Sequence, residues 1–292
     1  MTGEGQALDP RINAYLPELA DARLRGQVEA AHFAEGSLKR VIAAVAPLKR
    51  RPHAEAPLDS EVVLGEVVRV FGDTGDGWTW CQCAADDYVG FVPSSALGEI
   101  EPEPTHRIVA LRTFLYPAPD LKLPQRGMLV AGARLALTGE EVRTRGTPYR
   151  LLAGGEGALP AVDVAPLDAP LPSDFVAEAE RFVGTPYLWG GRTSLGLDCS
   201  GLVQQALALT GRPAPRDADL QAAMLGAPVE GESEADLVRG DLCYWPGHAL
   251  IVRDADTVIH CSGVHMRVVI EERAIAFARI IAVYGQPRVR RL

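Results

Sequence analysis

The strongest constraint on the fold is a change of hydrophobic period beyond the middle of the chain. Before a linker at residues 163–172, which contains three prolines, apolar residues form short runs separated by turn residues, as in small antiparallel barrels. After the linker, apolar residues first recur at helical spacing and then in short strands. This order predicts several domains, the last being an α+β domain with helices packed on an antiparallel sheet.

The part before the linker divides into an arm and two similar barrel units. In the arm, 16–28 has a loose helical spacing and 37–42 suggests a strand. Each barrel unit ends on an apolar run with proline, at 91–93 and at 158–160, which indicates a weak internal duplication. The length of 292 residues agrees with several domains of roughly 150 residues or fewer. The predicted domains are an N-terminal arm over 1–57, a first barrel over 58–100, a second barrel over 105–165 and the α+β domain over 173–292.

The last domain begins with two predicted helices. Ser173 is placed to cap the first, and the second starts near Cys199 and ends at Gly211. Strands are predicted after the helices. They are placed at 241–245, 248–253, 257–261, 267–270 and 279–284.

Charge and hydropathy exclude some partners. Lys and Arg number 29 against 38 Asp and Glu, so the net charge of −9 argues against a general nucleic-acid binder. The longest run without a charged side chain has 13 residues, whereas a membrane-spanning helix needs about 18. The opening Met1–Glu4 does not resemble a signal peptide. We therefore expect a cytoplasmic protein with no nucleic-acid or membrane partner.

The chain has five cysteines, an odd number, so at least one thiol is unpaired within it. Cys199 is the candidate nucleophile because it follows Asp198 at the predicted start of a helix. There the positive end of the helix dipole and the backbone N–H groups favour the thiolate. The other four cysteines are more simply interpreted as buried or inert residues. They are Cys81, Cys83, Cys243 and Cys261.

Two histidines on successive strands are candidates for the accompanying base. His248 begins one predicted strand and His260 ends the next. If these strands are antiparallel neighbours, both imidazoles can lie on one face, with His260 orienting His248. A zinc site that used Cys199, His248, His260 or His265 is the alternative, but these residues lack the closely spaced pairs typical of zinc ligands. We expect no metal and no cofactor.

A set of motifs in a fixed order carries a resemblance to a known family. The motifs are Tyr187-x-Trp189-Gly190-Gly191, Asp198-Cys199-Ser200-Gly201, Gly240-Asp241-Leu242, Gly247-His248 and Ile259-His260. Residues 173–292 thereby resemble the NlpC/P60 family of papain-like cysteine peptidases, which act on peptide stems of the bacterial cell wall. The two barrels resemble bacterial SH3 domains. The whole layout is similar to the γ-D-glutamyl-L-diamino acid endopeptidases of cell-wall peptide recycling.

The resemblance implies a role for each member of the set. Cys199 would be the nucleophile, His248 the general base and acid, and His260 the orienting third residue. The Cys199 backbone N–H would stabilise the oxyanion, and Tyr187 would lie close to the nucleophile. The implied reaction is attack on the amide between D-Glu and a diamino acid (diaminopimelate or Lys), which leaves a thioester that water hydrolyses.

The resemblance also implies a substrate, a murein-derived peptide with a free N-terminal L-Ala. Its ammonium needs a carboxylate partner, for which Asp217 is the candidate. Ala218 departs from the expected pattern, which has a serine at this position, and this puts one specificity contact in doubt. The first barrel would close the end of the groove. The further pocket candidates are Trp189, Asp198, Ser200, Arg216, Glu66 and Tyr88.

Three other functions remain open at the level of sequence. A thiol amidase or acyltransferase would use the same three residues and the same thioester. A peptidoglycan-binding protein with weak or no hydrolase activity would use the barrels alone, although Cys199, His248 and His260 are all present. A metal-dependent hydrolase is the third, and it would be sensitive to chelators.

Overall fold

The computed structural model describes residues 8–155, 157–229 and 236–292. The first seven residues of the predicted arm lie outside these ranges. The chain divides into two compact units, Met1–Glu103 and Pro104–Leu292. Within the described ranges, no helix is both long and apolar enough to cross a membrane.

The first unit is a small barrel built from nine strands. They are β1 (Leu19–Asp21), β2 (His32–Ala34), β3 (Ser37–Val41), β4 (Val45–Leu48), β5 (Ser60–Val63), β6 (Val67–Asp73), β7 (Trp78–Cys83), β8 (Val89–Pro93) and β9 (Leu97–Gly98). Five of them form one sheet in the order β8-β7-β6-β3-β9, and β4 pairs with β5. Alternate residues point inward, and the core includes Val41, Leu48, Val62 and Val68.

The arm differs from its prediction in two ways. The strand expected over 37–42 is present as β3, but it pairs with β6, so the barrel begins well before the boundary expected at residue 57. The helical spacing over 16–28 is not a helix but β1 followed by a single 3-10 turn. The reason is packing: Leu16 and Leu19 cover an aromatic cluster of the barrel instead of forming one face of a helix.

Eight strands follow at the start of the second unit. They are β10 (His106–Ile108), β11 (Arg112–Leu115), β12 (Gly127–Val130), β13 (Arg134–Leu135), β14 (Leu137–Thr144), β15 (Thr147–Leu152), β16 (Ala158–Pro160) and β17 (Val164–Pro166). They form three small antiparallel sheets, β13-β10-β17, β11-β12 and β14-β15-β16. Side chains of the following domain bond to the backbone directly after two of these strands: Gln205 donates to the Ala131 carbonyl at 3.1 Å, and Arg181 donates to the Val109 carbonyl at 2.6 Å.

The rest of the second unit has the predicted α+β architecture. Its elements are α1 (Phe175–Glu180), β18 (Arg192–Thr193), β19 (Gly196–Leu197), α2 (Cys199–Leu209), α3 (Ala218–Met224), β20 (Ala227–Val229), β21 (Leu242–Trp245), β22 (His248–Val252), β23 (Thr257–Ser262), β24 (Arg267–Glu272), α4 (Arg273–Tyr284) and β25 (Arg288–Arg291). The six-stranded sheet has the order β20-β25-β21-β22-β23-β24, and its described pairs are antiparallel.

Helices cover both faces of this sheet. Side chains of one parity, such as Leu242 and Ile251, pack in one core cluster with residues of α1 and α2. Those of the other parity, such as Trp245 and Leu250, pack with Phe277 of α4 in a second cluster. The central strands are therefore apolar at nearly every position, as expected for strands buried on both faces.

Two local predictions for this domain were wrong. Asp174 rather than Ser173 caps α1, because its carboxylate accepts the Val176 and Ala177 N–H groups. The strand expected over 279–284 is the second half of α4. Ala276, Phe277 and Ile280 are its buried residues. Their helical spacing puts them on one side of α4, which packs against the sheet face that carries Trp245 and Leu250.

Phe277→Ala tests the attachment of α4 to the sheet. Phe277 is buried and meets the Trp245 ring edge-to-face at 5.5 Å. We expect the substitution to lower the free energy of unfolding by about 3–5 kcal/mol, because it leaves a cavity in the core. Urea-induced unfolding measures this. Ile275→Ala, on the exposed side of the same helix, is the matched control. Equal effects of the two substitutions would contradict the packing described.

Candidate active site

Cys199 is the first residue of α2, as the sequence predicts. Asp198 caps this helix by accepting the Gly201 N–H at 2.7 Å. The Cys199 thiol lies 3.7 Å from the Gly247 carbonyl oxygen, and the Ala249 N–H also points to the sulfur. The residues on both sides of His248 therefore contact the thiol, so the start of β22 lies against Cys199.

The environment of Cys199 keeps its thiol neutral in the free protein. Burial, reinforced by the Asp198 carboxylate, raises the pKa of Cys199 to about 12. The N–H groups of Ala249 and Ser200 act in the opposite direction but do not compensate. The lowering of the Cys199 pKa that the helix start predicts is therefore outweighed by burial. A reaction through this thiol would therefore require a base.

His248 and His260 come together on β22 and β23, as the sequence predicts. His248 Nε2 and His260 Nδ1 are 2.9 Å apart. Burial lowers the pKa of His248 to about 3 and that of His260 to about 4. Both imidazoles are therefore neutral near pH 7, and His248 can accept a proton.

Glu271 on β24 extends this pair and was missed at the level of sequence. Its Oε2 lies 3.1 Å from His260 Nε2, and Arg279 of α4 bonds to the same oxygen. Burial opposes ionisation of Glu271, but the bonds from Arg279 and His260 outweigh it and hold its pKa below the ordinary value. The register of β23 against β24 sets Glu271 opposite Val258, on the same face as His260. No local motif indicates that pairing.

Three predicted pocket residues form one buried network. Arg216, 1% exposed, bonds to both carboxylate oxygens of Asp198, with Nη2–Oδ2 2.6 Å and Nη1–Oδ1 3.0 Å. It also donates to the Ser200 hydroxyl, while Asp198 accepts the Gly190 N–H. The network therefore joins Asp198 and Ser200, at the start of α2, to the loop at 190–191. It fixes the position of the helix start.

Three other predicted residues remain accessible. Tyr187 is half-buried, and burial together with the neighbouring Cys199 and Asp198 raises its pKa. Trp189 is 65% exposed, and Asp217 precedes α3 at partial exposure. Tyr187 thus lies beside Cys199. Trp189 and Asp217 are the sequence neighbours of Gly190 and Arg216 in the buried network.

The two predicted residues of the first barrel are described within their own unit. Glu66 accepts the Val63 N–H at 3.0 Å, and Tyr88 is 2% exposed in the barrel core. Their contact with a substrate stays a prediction.

One group of side chains has the composition of a metal site. The ligand atoms of His260, His265 and Glu271 all lie within 4.8 Å of one another. The Arg279 guanidinium, bonded to Glu271, opposes a cation at this position. The geometry therefore suits a hydrogen-bonded chain better than a metal.

A cysteine at a helix start, beside a strand that carries one of two hydrogen-bonded histidines, is typical of papain-like cysteine peptidases. Residues 184–277 match the model of the NlpC/P60 family, and residues 48–97 match that of the bacterial dipeptidyl-peptidase SH3 domain. Residues 184–277 therefore carry an NlpC/P60 cysteine peptidase domain, which a bacterial SH3 domain precedes in the chain. The SH3-like nature of the second barrel stays a prediction.

Individual proteins agree with this assignment. The chain is 26% identical over 239 residues to dipeptidyl-peptidase 6 of Lysinibacillus sphaericus, covering 76% of this chain and 86% of that protein. It is 38% identical over 73 residues to the γ-D-glutamyl-L-lysine dipeptidyl-peptidase of Bacillus subtilis, but this match covers 25% of the chain and 23% of the relative. An NlpC/P60 family crystal structure from Bacillus cereus ATCC 10987 has the same fold, with a TM-score of 0.72 and 22% identity over 87% of this chain and 99% of that one.

Arg216→Met tests the buried network. The substitution keeps the length of the side chain but leaves the Asp198 carboxylate without its buried cation. We expect the free energy of unfolding to fall by about 3–5 kcal/mol, together with loss of Cys199 reactivity. Urea-induced unfolding and alkylation of Cys199 measure the two effects. Arg288→Met, at an exposed arginine, is the control. A stable, fully reactive Arg216→Met protein would contradict the network's role.

The buried histidines predict a pH dependence of stability. Their pKa values are lower folded than unfolded, so the unfolded chain binds more protons below about pH 6.5 and stability falls as the pH decreases. Each imidazole contributes up to about 1.4 kcal/mol per pH unit. Between pH 6.5 and 5, His260→Asn should therefore show a shallower loss of unfolding free energy than wild type. His32→Asn, at an exposed histidine, should retain the wild-type slope.

Proposed function

We propose that the protein is a cysteine endopeptidase that hydrolyses the γ-D-glutamyl–diamino acid bond of cell-wall stem peptides with a free N-terminal L-Ala. The observation that carries the proposal is the contact of the Cys199 thiol with the residues flanking His248, whose ring bonds to His260 at 2.9 Å. The similarity to the γ-D-glutamyl-L-lysine dipeptidyl-peptidase of Bacillus subtilis supports the choice of bond. We further propose that the peptides are products of murein turnover and that the reaction is cytoplasmic.

The arrangement supports a two-step acyl transfer. As the Cys199 sulfur attacks the amide carbonyl, the thiol proton passes to His248, because the thiol is neutral beforehand. The developing oxyanion lies at the first turn of α2, where the Cys199 N–H has no partner within the helix. The His248 imidazolium then protonates the leaving amine. Water, deprotonated by His248, finally hydrolyses the thioester.

Substrate selection is assigned to the accessible residues around the nucleophile. The Asp217 carboxylate would pair with the ammonium of L-Ala, and Tyr187 and Trp189 would line the groove. Asp198, Ser200 and Arg216 would act indirectly, since their polar groups bond to one another.

Hydrolysis of L-Ala-γ-D-Glu-diaminopimelate and of its lysine analogue tests the reaction. We expect wild type to release L-Ala-D-Glu, detected by mass spectrometry, and Cys199→Ala to release none, because the thioester cannot form. Cys243→Ala, at a buried cysteine on the sheet face that α4 covers, is the matched control and should retain activity.

Different outcomes contradict different parts of the proposal. Cleavage by Cys199→Ala would refute the mechanism. Failure of wild type across a panel of stem peptides would refute the bond assignment. An acyl-transfer product, or ammonia released without chain cleavage, would favour the amidase or acyltransferase alternative. Retention on insoluble peptidoglycan without turnover of soluble peptides would favour a binding protein.

Asp217→Asn tests recognition of the free amine. We expect its kcat/KM to fall about tenfold to 100-fold, through KM, because a charge-assisted pair with the ammonium is lost. N-acetylation of the substrate should produce a similar loss in wild type and little further loss in the variant. Asp219→Asn, two residues later at an exposed position of α3, is the matched control. Additive losses from acetylation and Asp217→Asn would show that Asp217 does not bind the amine.

A further inference from the structure

A hydrogen-bonded chain of four side chains leads away from the nucleophile. It runs from His248 on β22 through His260 on β23 to Glu271 on β24, and it ends at Arg279 on α4. Each member belongs to a different element, so the chain exists only in the folded sheet. His265, in the turn between β23 and β24, is the other titratable group that faces His260.

The chain determines which ring nitrogens carry protons. An ionised carboxylate only accepts hydrogen bonds, so the Glu271–His260 contact requires a proton on His260 Nε2. A neutral imidazole has one N–H, so His260 Nδ1 carries none and acts as an acceptor. The 2.9 Å contact then requires the proton of His248 to be on Nε2. His248 Nδ1 is left with its lone pair.

We propose that Glu271 is a positioning residue, which acts through His260 to keep His248 Nδ1 unprotonated and available for the Cys199 proton. The inference rests on the cysteine-peptidase function proposed above. In the attack, the S–H bond breaks, an Nδ1–H bond forms, and the electron pair stays on sulfur. Glu271 keeps its negative charge throughout and stabilises the imidazolium that forms on His248.

Arg279 explains why a carboxylate is required at this position. Its guanidinium donates to Glu271 Oε2, the same oxygen that accepts from His260. In Glu271→Gln, Arg279 would compete for the one amide oxygen and leave the NH₂ group toward His260. An NH₂ group donates, so it would favour the opposite tautomer of His260 and hence of His248. The substitution therefore reverses the chain as well as removing a charge.

Long-range ¹H–¹⁵N spectra of the full-length, histidine-labelled protein test the tautomers without any substrate. Near pH 7 we expect His248 and His260 both to be protonated at Nε2, with assignments from the His248→Asn and His260→Asn proteins. In Glu271→Gln we expect His248 to move to the Nδ1–H form. Because no turnover is needed, this readout remains valid even if the proposed substrate is wrong.

Steady-state kinetics supply the second readout. We expect Glu271→Gln to lower kcat about 100-fold, with KM changed less than about twofold, and Glu271→Asp to recover part of the loss. Glu272→Gln is the matched control, since it removes the same charge one residue later at an exposed position. A kcat in Glu271→Gln equal to that of wild type would overturn the proposal. A spectrum of the wild-type protein that shows His260 protonated at Nδ1 would overturn it as well.

Discussion

The buried ion pair between Asp198 and Arg216 is the interaction on which the site depends. A single carboxylate caps α2, accepts the Gly190 N–H and binds both guanidinium nitrogens. Because Arg216 is almost fully buried, neither charge can return to water without unfolding this part of the domain. The position of Cys199, the next residue after Asp198, is thereby determined by this buried ion pair.

Burial around the nucleophile also decides the protonation states of the site. The same low-polarity surroundings that raise the pKa of Cys199 lower those of His248 and His260, so a neutral thiol faces a neutral histidine pair. A neutral thiol and a neutral histidine react only if the lone pair of the histidine is directed at the thiol. Orientation, maintained through His260 and Glu271, therefore becomes more important for this site than a pre-formed thiolate.

The candidate triad could be read from the sequence because its signals are local. Asp198-Cys199 stands at a helix start, His248 begins β22, and His260 lies within β23, the next strand along the chain. Glu271 could not be found in this way, since its distance to His260 depends on the register between β23 and β24. The same limit explains the errors in the arm and in α4. Both segments pair or pack with residues far away in sequence, and an apolar spacing alone does not specify the surface it meets.

The sequence by itself determined the α+β class of the last domain, and it predicted Cys199 with His248 and His260 as the candidate triad. Hydrophobic period and capping residues act over a few positions, so they can be recognised in the sequence without knowledge of the fold. Only the tertiary structure decided that Asp198, Ser200 and Arg216 bond to one another and that Glu271 completes the histidine chain. These contacts join segments up to 18 residues apart, and they form because packing of the sheet and its helices removes the alternative partner, water.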